Sequence, residues 1–381
     1  ATRDPSPTDE RMAIPFLLTI AAAYVCAFLR PQAAERLGEK LVFSEEFDRF
    51  DLKTWTHEMT AGGGGNWEFE WYGNNRANNS FVENGTLYLR ATLSEDFLGV
   101  EPTEDQTVLQ PGGSFPDQCS DQNDYGCRRQ TAGQNIINPI QSARISTKNS
   151  FSFQFGRMEA RAKLPKGDWL WPAIWLLPRY SQYGVWPASG EIDLLESRGN
   201  DKSDVASGVE TMQSTLHWGP KFSENMFSMT HVEHAIPEGD LSQDFHTYGL
   251  YWNSSILYTY LDDPQNIVLK VDLTVDAWTK GEFETKFNDP ANPWRSGSSA
   301  APFDQEFYII MNLACGGTGG GNGFFPDEMP GKPWKNTDQN AAFEFYAAKD
   351  QWMKTWTSPA LVVDSIKVWA FEDSAYTTIR D

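Results

Sequence analysis

The sequence predicts an all-β protein built as an antiparallel sandwich, and three observations carry the prediction. Short apolar or alternating segments recur at 86–92, 155–164, 173–177, 191–196, 247–252, 256–261, 306–313 and 361–371, after a first one opening at Leu41. Gly, Asn, Asp and Pro punctuate them throughout, as turns between paired strands require. Long amphipathic helical patterns are scarce, so the strand–helix alternation of a doubly wound fold or an α/β barrel is missing. Two regions break the rhythm. Residues 93–142 are polar and acidic and read as a long loop bordering the functional site, whereas 285–340 is rich in Gly, Pro, Asn and Trp. The run Gly316 to Gly321 lacks the Lys-Ser/Thr ending of a phosphate loop. No internal repeat and no second folded domain is evident.

The 381 residues suffice for a large single sandwich. With 31 basic against 52 acidic residues the formal net charge is −21, which excludes a nucleic-acid partner and disfavours polyanionic substrates. A neutral polymer fits this charge. The 15 Trp, 13 Tyr and 24 Phe suit stacking against sugar rings, although most must build the core of so large a β-protein. Residues 12–29 form an uncharged apolar run, and Val25-Cys26-Ala27 fits a small-residue cleavage pattern. The segment at about 12–27 therefore reads as a signal peptide in preference to an anchor, because Ile14-Pro15 suits a helix interior poorly. Secretion, with no stable membrane association, follows as the expectation. Cys119 and Cys127 lie close enough to staple a polar loop, and Cys315 sits alone in an apolar segment. Asn78, Asn84 and Asn253 begin glycosylation sequons, which matter only for an exported chain.

The stretch Gly190-Glu191-Ile192-Asp193-Leu194-Leu195-Glu196 places three carboxylates in an apolar neighbourhood. Strand side chains alternate faces, so Glu191 and Asp193 share one face and Glu196 has the wrong parity. A one-residue bulge at Leu194-Leu195 returns Glu196 to the face of the other two. Two carboxylates on a common face are the equipment for cleaving a glycosidic bond, one protonating the leaving oxygen and the other attacking the anomeric carbon or activating water. The bland alternative is a solvated acidic edge. Against it stands the upstream run Asp168 to Pro178, apolar and β-type, which must be buried or line a cleft.

With Trp171-Pro172-Ala173-Ile174-Trp175 before it, and His217-Trp218, Phe245 to Gly249 and Phe324-Phe325-Pro326-Asp327 after it, the acidic string resembles glycoside hydrolase family 16, in its endo-β-1,3-glucanase (laminarinase) branch. The resemblance spans about Leu41 to Phe371. It implies a β-jelly-roll sandwich of two antiparallel sheets with a concave substrate cleft, and a retaining double displacement on a neutral β-glucan. It also implies Glu191 as nucleophile, Glu196 as acid/base and Asp193 as the group that orients and tunes them. Asn75, Arg76, Trp171, Trp175, Trp186, His217 and Trp218 match positions that the family uses around the cleft. Trp171 and Trp175 share parity and face either cleft or core together; Trp186, on a Gly/Pro-flanked loop, is the better sugar platform. His217 is either a supporting residue or a direct ligand. No cofactor is expected for the chemistry, but a structural calcium would match the carbonyls of Glu46 and Gly85 with the Asp364 carboxylate. The expected organisation is a leader to residue 37, a catalytic domain at 38–372, a tail at 373–381, and a monomer. A non-catalytic glucan recognition protein, or a relative with another glycan specificity or transglycosylase activity, is the competing expectation.

Overall fold

A computed structural model describes residues 1–2, 38–113, 118–203, 207–286, 292–321 and 323–378. The chain divides into a unit of residues 1–37 and one of residues 38–381. The expected signal peptide at about 12–27 lies outside the described residues. Among those residues no helix is long and apolar enough to cross a membrane.

Two large antiparallel sheets form the body of the larger unit, beside a three-stranded and a two-stranded sheet. In the first, strands lie in the order His231–Ala235, Thr211–His217, Glu191–Glu196, Leu170–Pro178, Phe307–Cys315, Arg144–Ser146 and Thr56–His57. In the second, the order is Ile267–Asp272, Ile256–Leu261, His246–Trp252, Gly156–Lys163, Ala360–Ala370, Thr86–Arg90 and Ser80–Glu83, with Lys40–Glu45 also paired to Ala360–Ala370. Side chains from both sheets, including Ile174, Leu176, Ile192 and Leu216 from one and Met158, Leu250, Leu261 and Val363 from the other, join one buried core. Thr259 Oγ1 crosses that core to donate to Ser214 Oγ at 2.9 Å. This is the all-β jelly-roll that the strand pattern and the resemblance imply.

The Leu170–Pro178 strand explains how the layers obtain their opposite faces. Leu170, Ile174 and Leu176 are fully buried in the core, whereas Trp171, Trp175 and Leu177 are only partly buried and line a cavity on the far side. The predicted strands are present with ends shifted by a few residues. Among the additional strands are Thr211–His217, Ile267–Asp272, His231–Ala235, Ser80–Glu83 and Arg144–Ser146. The first of these (TMQSTLH) escapes a hydrophobic search because its cavity face carries Gln213, Thr215 and His217.

Three expectations need correction. None of the described residues of 93–142 lines the cavity; the segment packs behind the loop that does, with Ala61 N donating to Gly126 O at 2.7 Å and the Arg129 guanidinium over the Trp67 ring. The segment carries the expected Cys119–Cys127 disulfide, but it is also not one loop, since it holds the short helix Ser94–Leu98 and the strands Val108–Leu109, Arg129–Gln130 and Ile140–Ser142. Finally, the expected tail contains the strand Ala375–Thr378, paired antiparallel with Phe151–Gln154. Its β-branched and aromatic residues satisfy an edge, and Thr377 Oγ1 donates to Glu306 Oε1 at 3.1 Å.

Candidate active site

A cavity of about 780 Å³ lies on the solvent side of the first sheet, and Glu191, Asp193 and Glu196 all line it. Their strand carries the bulge that parity demands. Against Thr211–His217 the register runs Glu191 to His217 and Asp193 to Thr215, then slips so that Glu196 faces Gln213. Three residues of one strand thus span two of the other. Ile192, Leu194 and Leu195 all point into the core with no exposed surface. Gly190, immediately before the acids, has φ +82°, and a Cβ there would meet Phe303 and Pro302 at 3.1 and 3.2 Å. Glycine lets the chain enter the strand tightly.

Each acid has a dedicated partner. Trp186 Nε1 donates to Glu191 Oε2 at 2.6 Å, and Trp171 Nε1 donates to Glu196 Oε1 at 2.9 Å. Asp193, only 3% exposed, has Oδ2 3.2 Å from His217 Nε2. The Asn225 side-chain amide lies 2.7 Å from the other ring nitrogen, Nδ1 of His217, and fixes the ring; when Nδ1 is protonated it is the amide oxygen that accepts. Donor atoms of Glu191, Asp193 and His217 lie within 4.8 Å of one another.

The electrostatics follow from burial and crowding. Burial first, then the neighbouring Glu191 carboxylate, pushes the Asp193 carboxyl well above the usual range. Burial also raises Glu196; the charge of His217 and the Trp171 donor pull it back in part. For His217, burial opposes the charged form, but the Asp193 bond and the charges of Glu191 and Glu196 outweigh it and lift the imidazole to about 9. It is therefore cationic at neutral pH. A metal held by Glu191, Asp193 and His217 would have to displace that imidazole proton.

Trp171, Trp175, Trp186 and His217 line the cavity as the sequence suggests, and both strand tryptophans take the cleft side. Trp218 does not. It follows His217 with opposite parity, is 2% exposed, and donates from Nε1 to Thr230 Oγ1 at 3.0 Å within the core. Asn75 and Arg76 are also outside the cavity lining. Asn75 shapes its own turn, its Oδ1 accepting from the backbone of Ala77 and Asn78, and contacts Gln141 at 3.3 Å. Strand register brings Glu46, Gly85 and Asp364 to adjoining positions, since Glu45 faces Ile366 and Leu87 faces Val363. Their oxygens suit a hard cation, although Asp364 pairs with Arg161 at 3.2 Å and Glu46 with Lys367 at 2.8 Å.

Sequence reasoning missed several lining residues. Phe324 stacks on Trp171, centroids 4.0 Å apart and planes 1° apart, and Arg198 lies over Phe324 at 4.5 Å while donating to its carbonyl at 3.0 and 2.7 Å. This stack backs the indole that holds Glu196. Asn312 accepts from Trp175 Nε1 at 2.7 Å, donates to Tyr72 Oη at 3.2 Å, and Tyr72 Oη donates in turn to Glu68 Oε2 at 3.2 Å. A polar residue inside the apolar run 307–315 was the available signal for Asn312. Gln213 and Thr215 share His217's parity, and Phe324 opens the Phe324-Phe325-Pro326-Asp327 motif of the resemblance; Arg198 offered no such pattern.

The profile for glycosyl hydrolases family 16 matches residues 118–288. A beta-1,3-glucan-binding protein of Penaeus monodon is 42% identical over 343 residues, 88% of this chain and 91% of that protein. A glucan endo-1,3-beta-glucosidase of Cryptopygus antarcticus is 32% identical, over 83% of this chain and 92% of its own. Among solved structures, the catalytic domain of an endo-1,3-beta-glucanase (laminarinase) from Thermotoga petrophila superposes with a TM-score of 0.54 at 26% identity, covering 88% of this chain and 99% of that one. Bulged acid strand, sandwich and relatives agree, and the chain belongs to glycosyl hydrolase family 16.

Proposed function

We propose that this protein is a retaining endo-β-1,3-glucanase acting on laminarin-like glucans. The observation that carries the reading is the bulged strand, which turns Glu191, Asp193 and Glu196 into one cleft with separate partners for each. Glu191, its carboxylate oriented by the Trp186 N–H, attacks the anomeric carbon. Glu196, raised by burial, gives its proton to the departing glycosidic oxygen. The C–O bond breaks as the glycosyl–Glu191 ester forms, and Glu191 loses its negative charge. Glu196, now ionised, takes a proton from water, which attacks the ester and releases the sugar with its original anomeric configuration. Asp193, 3.2 Å from His217, sits between the two glutamates on the same face and orients them.

A glucan-recognition role without turnover is the second reading, favoured by the name of the 42% identical relative. Retention of all three acids and their tethers supports the enzyme. Reducing-sugar release from laminarin, lichenan and agarose, with Glu191→Gln as control, separates the two: laminarin binding without release by the native chain would sink hydrolysis. Secretion is proposed with it, supported by the Cys119–Cys127 disulfide and by exposed Asn78 and Asn84 in their sequons. The acidic chain is proposed to act as a monomer on a neutral glucan, without nucleic-acid or membrane partners and with no cofactor in the chemistry. Calcium is proposed only as a structural ion at the Glu46 and Gly85 carbonyls and Asp364; a melting temperature unchanged by chelator would remove it.

A further inference from the structure

Next to His217, the segment between Trp218 and Thr230 leaves large apolar side chains in water. Phe222 is 76% exposed, Phe227 43% and Met229 52%, while Trp186 across the cavity mouth is 36% exposed. Single exposed apolar residues need no explanation, but a contiguous aromatic group does. These rings are contiguous. Trp186 lies 5.5 Å from Phe222 and 5.4 Å from His217, and Phe227 stacks on His217 at 5.4 Å with 27° between planes.

The segment is also held firmly. Phe222–Glu224 and Phe227–Met229 are single 3-10 turns, Met226 N donates to Trp218 O at 2.7 Å, and Asn225 joins the segment to His217. Such anchoring presents the rings with little ordering left to do, a property suited to binding. Phe222 and Phe227 line the same cavity as Glu191 and His217.

We infer that Phe222 and Phe227 form an aromatic shelf that binds glucosyl units of the glucan beyond those held at the acids. The inference rests on the proposed substrate and names residues for its length preference. Sugar C–H faces pack on phenyl rings, and the uncharged rings carry no penalty for a neutral polymer. The shelf continues the cavity that already holds the acids. That continuity, with the chain's strong negative charge, selects a neutral glycan over an acidic partner.

The test uses full-length Glu191→Gln protein, which separates binding from turnover, titrated calorimetrically with laminaritriose and laminarihexaose. Adding Phe222→Ala or Phe227→Ala should weaken laminarihexaose binding by roughly tenfold, the scale of one aromatic contact, and change laminaritriose binding by less than about twofold. Both oligosaccharides weakening equally, or neither, overturns the shelf while leaving the glucan reading intact. Binding of neither sugar by any form removes the glucan reading and the shelf together. Phe222 is so exposed that its truncation should leave the fold unchanged, which circular dichroism checks. If light scattering finds a dimer that Phe222→Ala dissociates, with glucan affinity unaltered, the rings serve self-association and the shelf is overturned.

Discussion

Among individual residues, the decisive pair is Glu196 and the groups that face it: Glu191 and Asp193 on its own strand, His217 opposite, Arg198 beyond it, and the Trp171 indole. Burial sets the direction, and the donors and cations trim it. Trp171→Phe keeps an aromatic ring against Phe324 but removes the N–H that favours ionised Glu196. The basic limb of kcat/KM, which reports the acid in the free enzyme, should therefore move to higher pH; a limb that stays put would separate Trp171 from this function. Glu196→Gln should reduce turnover of laminarin by about 10²–10⁴-fold, with much less loss on a glycoside whose leaving group needs no protonation, read by parallel kinetics. His217 should remain protonated at pH 7 and titrate near 9 in an NMR experiment on its ring protons. Its folded pKa is raised, so the histidine's contribution to stability is lost as pH climbs through 9, while on the acid side the pair weakens once the raised Asp193 carboxyl takes up its proton.

The Glu191–Glu196 strand shows what one residue of length does to register. Deleting Leu195 would leave Glu-Ile-Asp-Leu-Glu, in which regular alternation keeps all three acids on the cleft face and no bulge is needed. Detectable glucan hydrolysis is expected to survive in the deletion variant; complete loss with the fold intact by circular dichroism would mean that the bulge does more than restore the parity of Glu196. Leu194→Ala, by contrast, keeps the register and creates a cavity, so a loss of about 2–5 kcal/mol by denaturant unfolding should come with acids still aligned. The acid string itself was legible because its parity conflict had a single simple solution. Thr211–His217 was not, because a strand lining a polar cleft carries polar residues on one face and loses the hydrophobic alternation that marks a strand.

In the whole molecule, buried charge ties the start of the sandwich to its second sheet. Arg157 meets Glu39 at 2.7 Å and Glu159 at 2.5 Å, with its guanidinium 3.7 Å from the Trp369 ring centroid. Arg157→Ala would strand these carboxylates, and chemical denaturation should register a loss of about 3–5 kcal/mol. No change would place the pair among contacts that merely break even. The Cys119–Cys127 disulfide acts on a smaller region, packed behind Ala61 and Gly62, so its reduction should loosen that loop more than the sheets.

Local pattern by itself determined the antiparallel sandwich, most strand positions and the three acids, because alternation, turn residues and parity are properties of neighbours in the chain. Tertiary structure alone decided what distant residues do to them. It put Trp218 in the core although its neighbour His217 reaches Asp193, left Asn75 and Arg76 out of the cavity lining, and added residues 375–378 to a sheet edge. It also stacked Phe324 and Arg198 behind Trp171, across sequence separations that no local periodicity encodes. A strand's own spacing fixes which side chains share a face; which face meets solvent, and what lies opposite, depends on how two sheets pack.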